Sequence, residues 1–377
     1  MKLIDKYPSL NEIKTRAQSR LPRFVWEYLD SATGSEISKY LDRNSLDNIQ
    51  LKTEVLIGQM EINLETKFMN QNFKLPFGIG PVGMSGLIYP KAERILGQHA
   101  AEYNFPYTLP TLGTNSIEDL NHIPTENKWF QLYCPKDLNV LEDLLARALQ
   151  EKFDTLVVTI DIPAASVRER QLKIGLSLPP KVTPSLILQL ITRPIWALRF
   201  LFNQPNFKTL DSYSETQNIS SVNHLGYQMR TNPDLNYLKI IRRLWPNKLI
   251  VKGITNDSEV KNIEAIGVDA LWVSNHGGRQ FQSGVSSIDS LKNVRSITNL
   301  PIIFDGGLES GLDIIKSYAY GADFVMLSRP WHYGLAAFGK KGPTHIISIL
   351  ERDLIANMSQ MGVTSISQLN SQNLWLS

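Results

Sequence analysis

Ala270-Leu271-Trp272-Val273-Ser274-Asn275-His276-Gly277-Gly278-Arg279-Gln280 is the stretch on which the reading of this chain turns. Its first four residues are apolar and read as a buried strand. Groups capable of chemistry emerge where that strand ends. A histidine can take a proton near neutral pH, and an arginine can grip a carboxylate through two parallel hydrogen bonds. Two glycines between them let the backbone turn tightly and approach a planar ligand. A base beside a carboxylate clamp suggests chemistry on the carbon next to a carboxylate. For His-x-x-Arg taken alone, a plain strand-to-loop turn is the competing reading.

The same form, an apolar run followed by an amphipathic stretch, recurs along the chain. Strands are expected at Pro76–Pro81, Tyr107–Thr111, Trp129–Tyr133, Thr155–Asp161, Lys248–Gly253, Ala270–Asn275, Pro301–Gly307 and Phe324–Pro330. Helices are expected at Lys91–Asn104, Asp137–Lys152, Asp257–Gly267, Ser287–Thr298 and Ser310–Gly321. Asp257, Ser287 and Ser310 are candidate caps, and Gly267 and Gly321 stand where helices should stop. Continuously apolar strands are those of a parallel sheet buried on both faces. Eight of them favour an α/β fold of the closed (β/α)8 TIM-barrel type over an open doubly wound sheet. No Gly-x-Gly-x-x-Gly follows the first strand, which argues against a dinucleotide fold.

Composition agrees. The 377 residues are 42% hydrophobic and 20% charged, enough apolar material for a large core. A net charge of +3 is too small and dispersed to suggest nucleic acid. The single cysteine, Cys134, excludes an internal disulfide and a cysteine-based zinc site and fits a reducing cytoplasm. Met1–Pro8 lacks the apolar core of a signal peptide. No metal is expected.

Two segments depart from the repeat. Residues 1–75 read as a helical extension that caps one barrel end, ahead of a barrel at 76–362 and a tail at 363–377. Residues 172–235 form a long insertion after strand 4. Within it, Pro184–Phe202 is rich in Leu, Ile, Trp and Phe but interrupted by Arg193-Pro194 and Arg199, too broken for a spanning helix. It is expected either to pack on the barrel or to lie at a membrane surface as a hairpin or bent helix.

Barrel active sites gather at the C-terminal ends of the strands. Those ends carry Gln131 and Tyr133, Thr159 and Asp161, Lys252, Ser274 and His276, Asp305, then Ser328 and Arg329. A polar group at nearly every end from the third strand onward is hard to explain by packing. Asp305-Gly306-Gly307 and Ser328-Arg329 follow strands seven and eight, where barrels commonly cradle a phosphate. Lys252 ends a buried strand and calls for an anion.

Trp129-Phe130-Gln131-Leu132-Tyr133, Thr159-Ile160-Asp161, Val251-Lys252-Gly253, Ser274–Gln280 and Asp305-Gly306-Gly307 together resemble the FMN-dependent 2-hydroxy acid dehydrogenases and oxidases. The likeness runs from about Leu21 to about Gly362. It implies FMN as cofactor and oxidation of an L-2-hydroxy acid, lactate- or mandelate-like, to the 2-oxo acid. By the same resemblance His276 is the base, Asp161 orients it, and Arg279 and Arg168 bind the substrate carboxylate. Tyr28 and Tyr133 reach the substrate, Tyr133 near the α-hydroxyl. Gln131, Thr159, Lys252 and Ser274 hold the flavin's polar edge, and Val82 and Gly83 pass their backbone beside its ring. Asp305 meets the ribityl chain, while Gly306, Gly307, Ser328 and Arg329 surround the phosphate.

The chain also departs from that family's pattern. Glu309 lies where many relatives place a phosphate-binding arginine, and Pro110 replaces a hydroxyl residue. Leu112 and Ala165 stand where the glycolate-preferring branch has Trp and Leu. Asn115–Leu120, Arg168-Glu169-Arg170, Leu244–Leu249 and Gly83 resemble the bacterial mandelate and lactate dehydrogenases. That branch implies electrons passed to quinone or another acceptor, peripheral membrane contact on the inner face of the cell membrane, and a homotetramer. The alternatives are a soluble oxidase that makes hydrogen peroxide from O2, an isoprenoid diphosphate isomerase on a flavin barrel, and a non-enzymatic flavin binder.

Overall fold

The computed structural model describes residues 3–174, 183–214 and 230–375. Ten strands are present among them. β1 (Thr66–Phe68) and β2 (Gln71–Phe73) form an antiparallel hairpin. The other eight are β3 (Phe77–Ile79), β4 (Tyr107–Pro110), β5 (Lys128–Tyr133), β6 (Thr155–Thr159), β7 (Lys248–Ile254), β8 (Ala270–Val273), β9 (Ile302–Phe304) and β10 (Phe324–Leu327). They close into a barrel in sequence order, with β10 pairing β3 in parallel. Each expected strand is therefore observed. Helices alternate with them on the outside, Leu138–Gln150 burying Leu141, Leu144, Leu145 and Ala148 along one stripe.

Expected helix ends fare less evenly. Ser310 caps its helix, accepting from the Asp313 N–H, and Gly267 and Gly321 take the left-handed conformation at helix ends. Ser286, not Ser287, caps the helix Ser287–Arg295. Asp257 caps nothing. A turn closed by Val260 N–H on the Asp257 carbonyl precedes its helix, which starts at Val260.

The expected helical extension is helical only as far as Asp47. Helices Leu10–Arg20, Arg23–Asp30 and Ile37–Asp47 lie over the C-terminal mouth of the barrel, where Thr33 N donates to Gly278 O at 3.0 Å and Arg43 Nη1 to Gly307 O at 2.8 Å. The β1–β2 hairpin closes the other end. Phe68 and Phe73 pack there on Trp129, Phe324 and the rest of the barrel interior. Interrupted extended backbone between the two explains why residues 48–75 lack a helical period. The tail is tied down as well, with Ser365 bridging Asn63 and Leu374 bridging Leu51.

Of the insertion, residues 175–182 and 215–229 lie outside the described residues. Its apolar core is two helices, Pro184–Thr192 and Pro194–Phe202, broken at Arg193-Pro194 where proline cannot continue the hydrogen-bond ladder. One face packs inward. Trp196 is buried, donates from Nε1 to Leu87 O at 2.9 Å and meets Phe24 edge-on at 5.5 Å. The opposite face leaves Ile187, Leu188, Ile191, Ile195, Leu198, Leu201 and Phe202 exposed. Among the described residues no helix is long and apolar enough to cross a membrane.

Candidate active site

Side chains alternate inward and outward along a strand, and the barrel applies that period at two levels. Trp129, Val157, Ile250 and Trp272 fill the interior near its base. Two residues further along each strand come Gln131, Thr159, Lys252 and Ser274, with Thr159 paired to Lys252. The interior thus passes from apolar to polar towards the C-terminal mouth, where a cavity of about 880 Å³ opens. That lies within the roughly 300–1,000 Å³ typical of small-molecule sites.

His276, Gly277 and Gly278 all take positive φ (58°, 61° and 73°), which swings the chain back across the strand end. A Cβ at Gly278 would come 2.9 Å from Lys39 N, so the turn requires glycine there. Asn275 pins it, accepting from Gly278 N at 3.3 Å and donating to Asp42 Oδ1 at 2.7 Å. The imidazole is thereby aimed at the end of β6, its Nδ1 3.1 Å from Asp161 Oδ2 and 3.2 Å from Oδ1. Burial lowers the His276 pKa, outweighing the opposing pull of Asp161. Burial alone would raise the Asp161 pKa, but His276 and Lys252 together hold it below its usual value. At neutral pH the pair is a neutral imidazole beside a carboxylate. With Nδ1–H given to Asp161, Nε2 is left as a basic lone pair.

Arg279 is held by main-chain carbonyls at the C-terminal end of helix Arg23–Asp30. Nη1 donates to Ser31 O at 2.8 Å and Leu29 O at 3.3 Å, and Nη2 to Tyr28 O at 3.0 Å. Carbonyls at a helix end lack intrahelical partners and carry partial negative charge, so they suit a cation. Among the described residues Nε of the guanidinium has no hydrogen-bond partner. Burial and the neighbouring Arg168 and Arg329 lower the Arg279 pKa strongly. Tyr28 lies beneath Arg279, ring centroid 5.8 Å away, and its hydroxyl donates to Gly83 O at 2.8 Å. Arg170 stays out of the cavity lining and binds Glu27, Asp30 and Glu36, fastening the loop after β6 to the helices over the mouth.

Most sequence-predicted residues share this one cavity: Tyr28, Val82, Gly83, Tyr133, Arg168, Lys252, His276, Arg279, Asp305, Gly306, Gly307, Ser328 and Arg329 all line it. Asp161 stands behind His276. Gln131, Thr159 and Ser274 are buried behind the lining, with Gln131 Nε2 3.0 Å from Thr159 Oγ1. The anion that Lys252 needs is already present in the protein. Lys252 Nζ is 3.1 Å from Asp305 Oδ2 and 2.7 Å from Ser274 Oγ, and Trp272 Nε1 also donates to Asp305 at 2.9 Å.

Sequence reasoning missed the contribution of the first fifty residues beyond Tyr28. Lys14, Lys39, Asp42 and Arg43 line the cavity too. Lys39 is bound to Asp30 at 3.2 Å, and Lys14 lies between Asp30 (3.5 Å) and Glu309 (3.8 Å). Glu309, flagged for its charge, is therefore partly neutralised by a lysine from another element. Leu112 and Ala165 line the cavity, whereas Pro110 ends β4 behind it.

A family profile described as FMN-dependent dehydrogenase matches residues 17–376, and the chain belongs to that family. It is 31% identical over 372 residues to an L-lactate dehydrogenase of Pseudomonas syringae pv. syringae (strain B728a), covering 97% of this chain and 98% of that one. It is 29% identical over 367 residues to an (S)-mandelate dehydrogenase of Pseudomonas putida, covering 97% and 93%. The crystal structure of the monotopic membrane protein (S)-mandelate dehydrogenase matches with a TM-score of 0.92 at 28% identity, covering 98% and 99% of the two chains.

The cavity suits FMN, the cofactor of this family. Arg168, Arg279, Arg329 and Lys39 crowd like charges around it, and burial with Arg329 nearby lowers the Lys39 pKa. Anionic groups would offset that cost. Among the described residues, two lining side chains bear buried polar atoms without a hydrogen-bond partner, Asp42 Oδ2 and Gln280 Nε2. Gly306 and Gly307, at φ 119° and 71°, bring bare backbone to the wall beside Arg329.

Proposed function

We propose that the protein oxidises an L-2-hydroxy acid of lactate or mandelate type to the 2-oxo acid and hands the electrons on to quinone or another acceptor. The observation that carries this reading is one cavity lined by both His276, paired with Asp161, and Arg279, a base beside a guanidinium. Bound FMN supplies a two-electron acceptor.

The protein's own residues do the rest. Arg279 and Arg168 hold the substrate carboxylate, which selects the enantiomer whose single α-hydrogen would face the cofactor. Tyr133 and Tyr28 bond the substrate's oxygens. His276 Nε2 takes a proton from the α-carbon or its hydroxyl, and Asp161 stabilises the imidazolium that forms. Such a base contributes about 10²–10⁴-fold in rate. On the cofactor side, Lys252, with Gln131, Thr159 and Ser274 behind it, sets the polarity of the flavin edge. Asp305, Gly306, Gly307, Ser328 and Arg329 take the ribityl chain and phosphate, and Val82 and Gly83 take the ring.

The exposed apolar face of Pro184–Phe202 belongs on a membrane surface, with the enzyme peripheral on the cytoplasmic side. A homotetramer, divided along each chain into cap, barrel and tail, completes the reading. Anaerobic mixing of the yellow protein with L-lactate and L-mandelate tests the activity. Bleaching of the flavin by the L- but not the D-acids is expected, and no bleaching by any hydroxy acid would defeat it. Oxygen consumption compared with dye reduction separates a dehydrogenase from an oxidase.

A further inference from the structure

The insertion and the start of the chain enclose a second, smaller cavity of about 180 Å³. Three guanidinium groups line it: Arg20 at the end of helix Leu10–Arg20, Arg193 at the break between the inserted helices, and Arg199 one and a half turns beyond. Among the described residues no carboxylate partners any of them. Arg199 stacks over the Tyr89 ring at 4.7 Å. Arg193 gives only Nη1 to the carbonyl of Thr192, at 3.0 Å, and its buried Nε has no partner. Burial, with Arg16 and Arg199 nearby, lowers the Arg20 pKa.

Three cations held together without an acid are costly unless an anion joins them. The start of helix Pro194–Phe202 adds to the positive potential, since Pro194 and Ile195 also line the cavity. The remaining wall is largely apolar, with Leu21, Ile88 and Trp196. Ile195 belongs both to this wall and to the exposed apolar face of the insertion. An anion bound here is thus next to a surface made for hydrocarbon.

We propose that this cavity binds the phosphate of an anionic phospholipid whose acyl chains lie along the exposed face of Pro184–Phe202. The proposal rests on the membrane reading above and adds a defined headgroup site to it. A free phosphate ion shares the charge but makes no use of the apolar rim, which is why a lipid is the favoured source. Each arginine near an anionic membrane surface is worth about fivefold in binding.

The test uses the holoprotein and two vesicle types, phosphatidylcholine alone and phosphatidylcholine with phosphatidylglycerol. Wild type should sediment with the anionic vesicles about tenfold more tightly. Arg193→Gln and Arg20→Gln should each lose about fivefold of that preference and keep their binding to neutral vesicles. Arg23→Gln is the control, because Arg23 is exposed, pairs with Glu27 and lies outside the cavity. Equal binding of wild type to both vesicles, or variants that keep the full preference, would overturn the site. A calorimetric titration with short-chain phosphatidylglycerol and with inorganic phosphate separates the sources. Heat from the lipid alone, with affinity weakened about fivefold by Arg193→Gln, supports the proposal, and equal affinity for phosphate overturns it. Failure to sediment with any vesicle would sink the membrane reading, while the short-chain titration would still decide the headgroup site.

Discussion

Nδ1 of His276 lies 3.1 Å from Oδ2 of Asp161, although the two residues are 115 positions apart and His276 is in a left-handed backbone conformation. The turn fixes where the ring is, and the carboxylate fixes which nitrogen carries the proton. Because His276 is buried, its pKa lies below the ordinary histidine value of about 6.5. The base works only when neutral. Flavin reduction by the hydroxy acid should therefore be flat with pH above neutrality and fall as pH drops through a value below about 6.5. Rapid-mixing rates across that range check it. A limb above pH 7 would contradict the assigned burial effect.

Removing either partner should separate chemistry from cofactor binding. His276→Gln should keep its flavin spectrum and lose flavin reduction by at least about 10²–10⁴-fold. Asp161→Asn should also slow reduction, since the imidazolium loses its counter-charge, and shift the acid limb further down. An unshifted limb would mean that another group titrates.

Arg279→Lys should weaken a carboxylate inhibitor such as oxalate by about 2–5 kcal/mol, because an ammonium cannot present a two-point edge and cannot replace three carbonyl contacts. Equilibrium titration of the flavin absorbance measures this. Unchanged affinity would remove Arg279 from the substrate site.

Asp42 supplies a stability test. Its carboxyl is buried, with Oδ1 accepting from Asn275 and Ser287 and Oδ2 unpaired, and burial pushes its pKa up to about 6. A raised folded pKa means that its favourable contribution is present below about pH 4 and lost as pH rises through about 6. Asp42→Asn keeps the Oδ1 acceptor and removes the charge. It should stabilise the protein by about 3 kcal/mol at pH 7.5 and by next to nothing at pH 4. Thermal unfolding at the two pH values would show it. The same gain at both would exclude the charge as its cause.

Glu309→Arg should tighten FMN binding, since it removes a negative charge from the cavity wall. Lys14 already screens Glu309 at 3.8 Å and the side chain is half exposed, so the gain should be modest, about 1 kcal/mol or less. Fluorescence quenching of free FMN by apoprotein gives the affinity. Weaker retention would mean that the new guanidinium repels Lys14 and Lys39 more than it attracts phosphate.

The barrel was readable from sequence because strands buried on both faces carry unbroken apolar runs, and all eight ran where expected. The His276–Arg279 turn was readable because its glycines are needed locally. Helix starts were less so: a single extra turn moved one start from Asp257 to Val260. Lys39, Asp42 and Arg43 gave no sign of belonging to the site. Their helix shows only a generic amphipathic period, and the partners that tie Asp42 and Arg43 to the barrel mouth lie 233 to 270 residues away. The pairing of Lys252 with Asp305 was hidden for a related reason, since it depends on which strands β7 and β9 flank.

Among the described residues, the hydrogen bonds that anchor Arg279 come from carbonyls 248 to 251 residues earlier in the chain. Such distant contacts are slow to form, because the chain between must be ordered before they bring any gain. The carboxylate clamp cannot be set until helix Arg23–Asp30 docks. A protease cut within the three leading helices would therefore free the carbonyls that hold the arginine, and the carboxylate clamp with them.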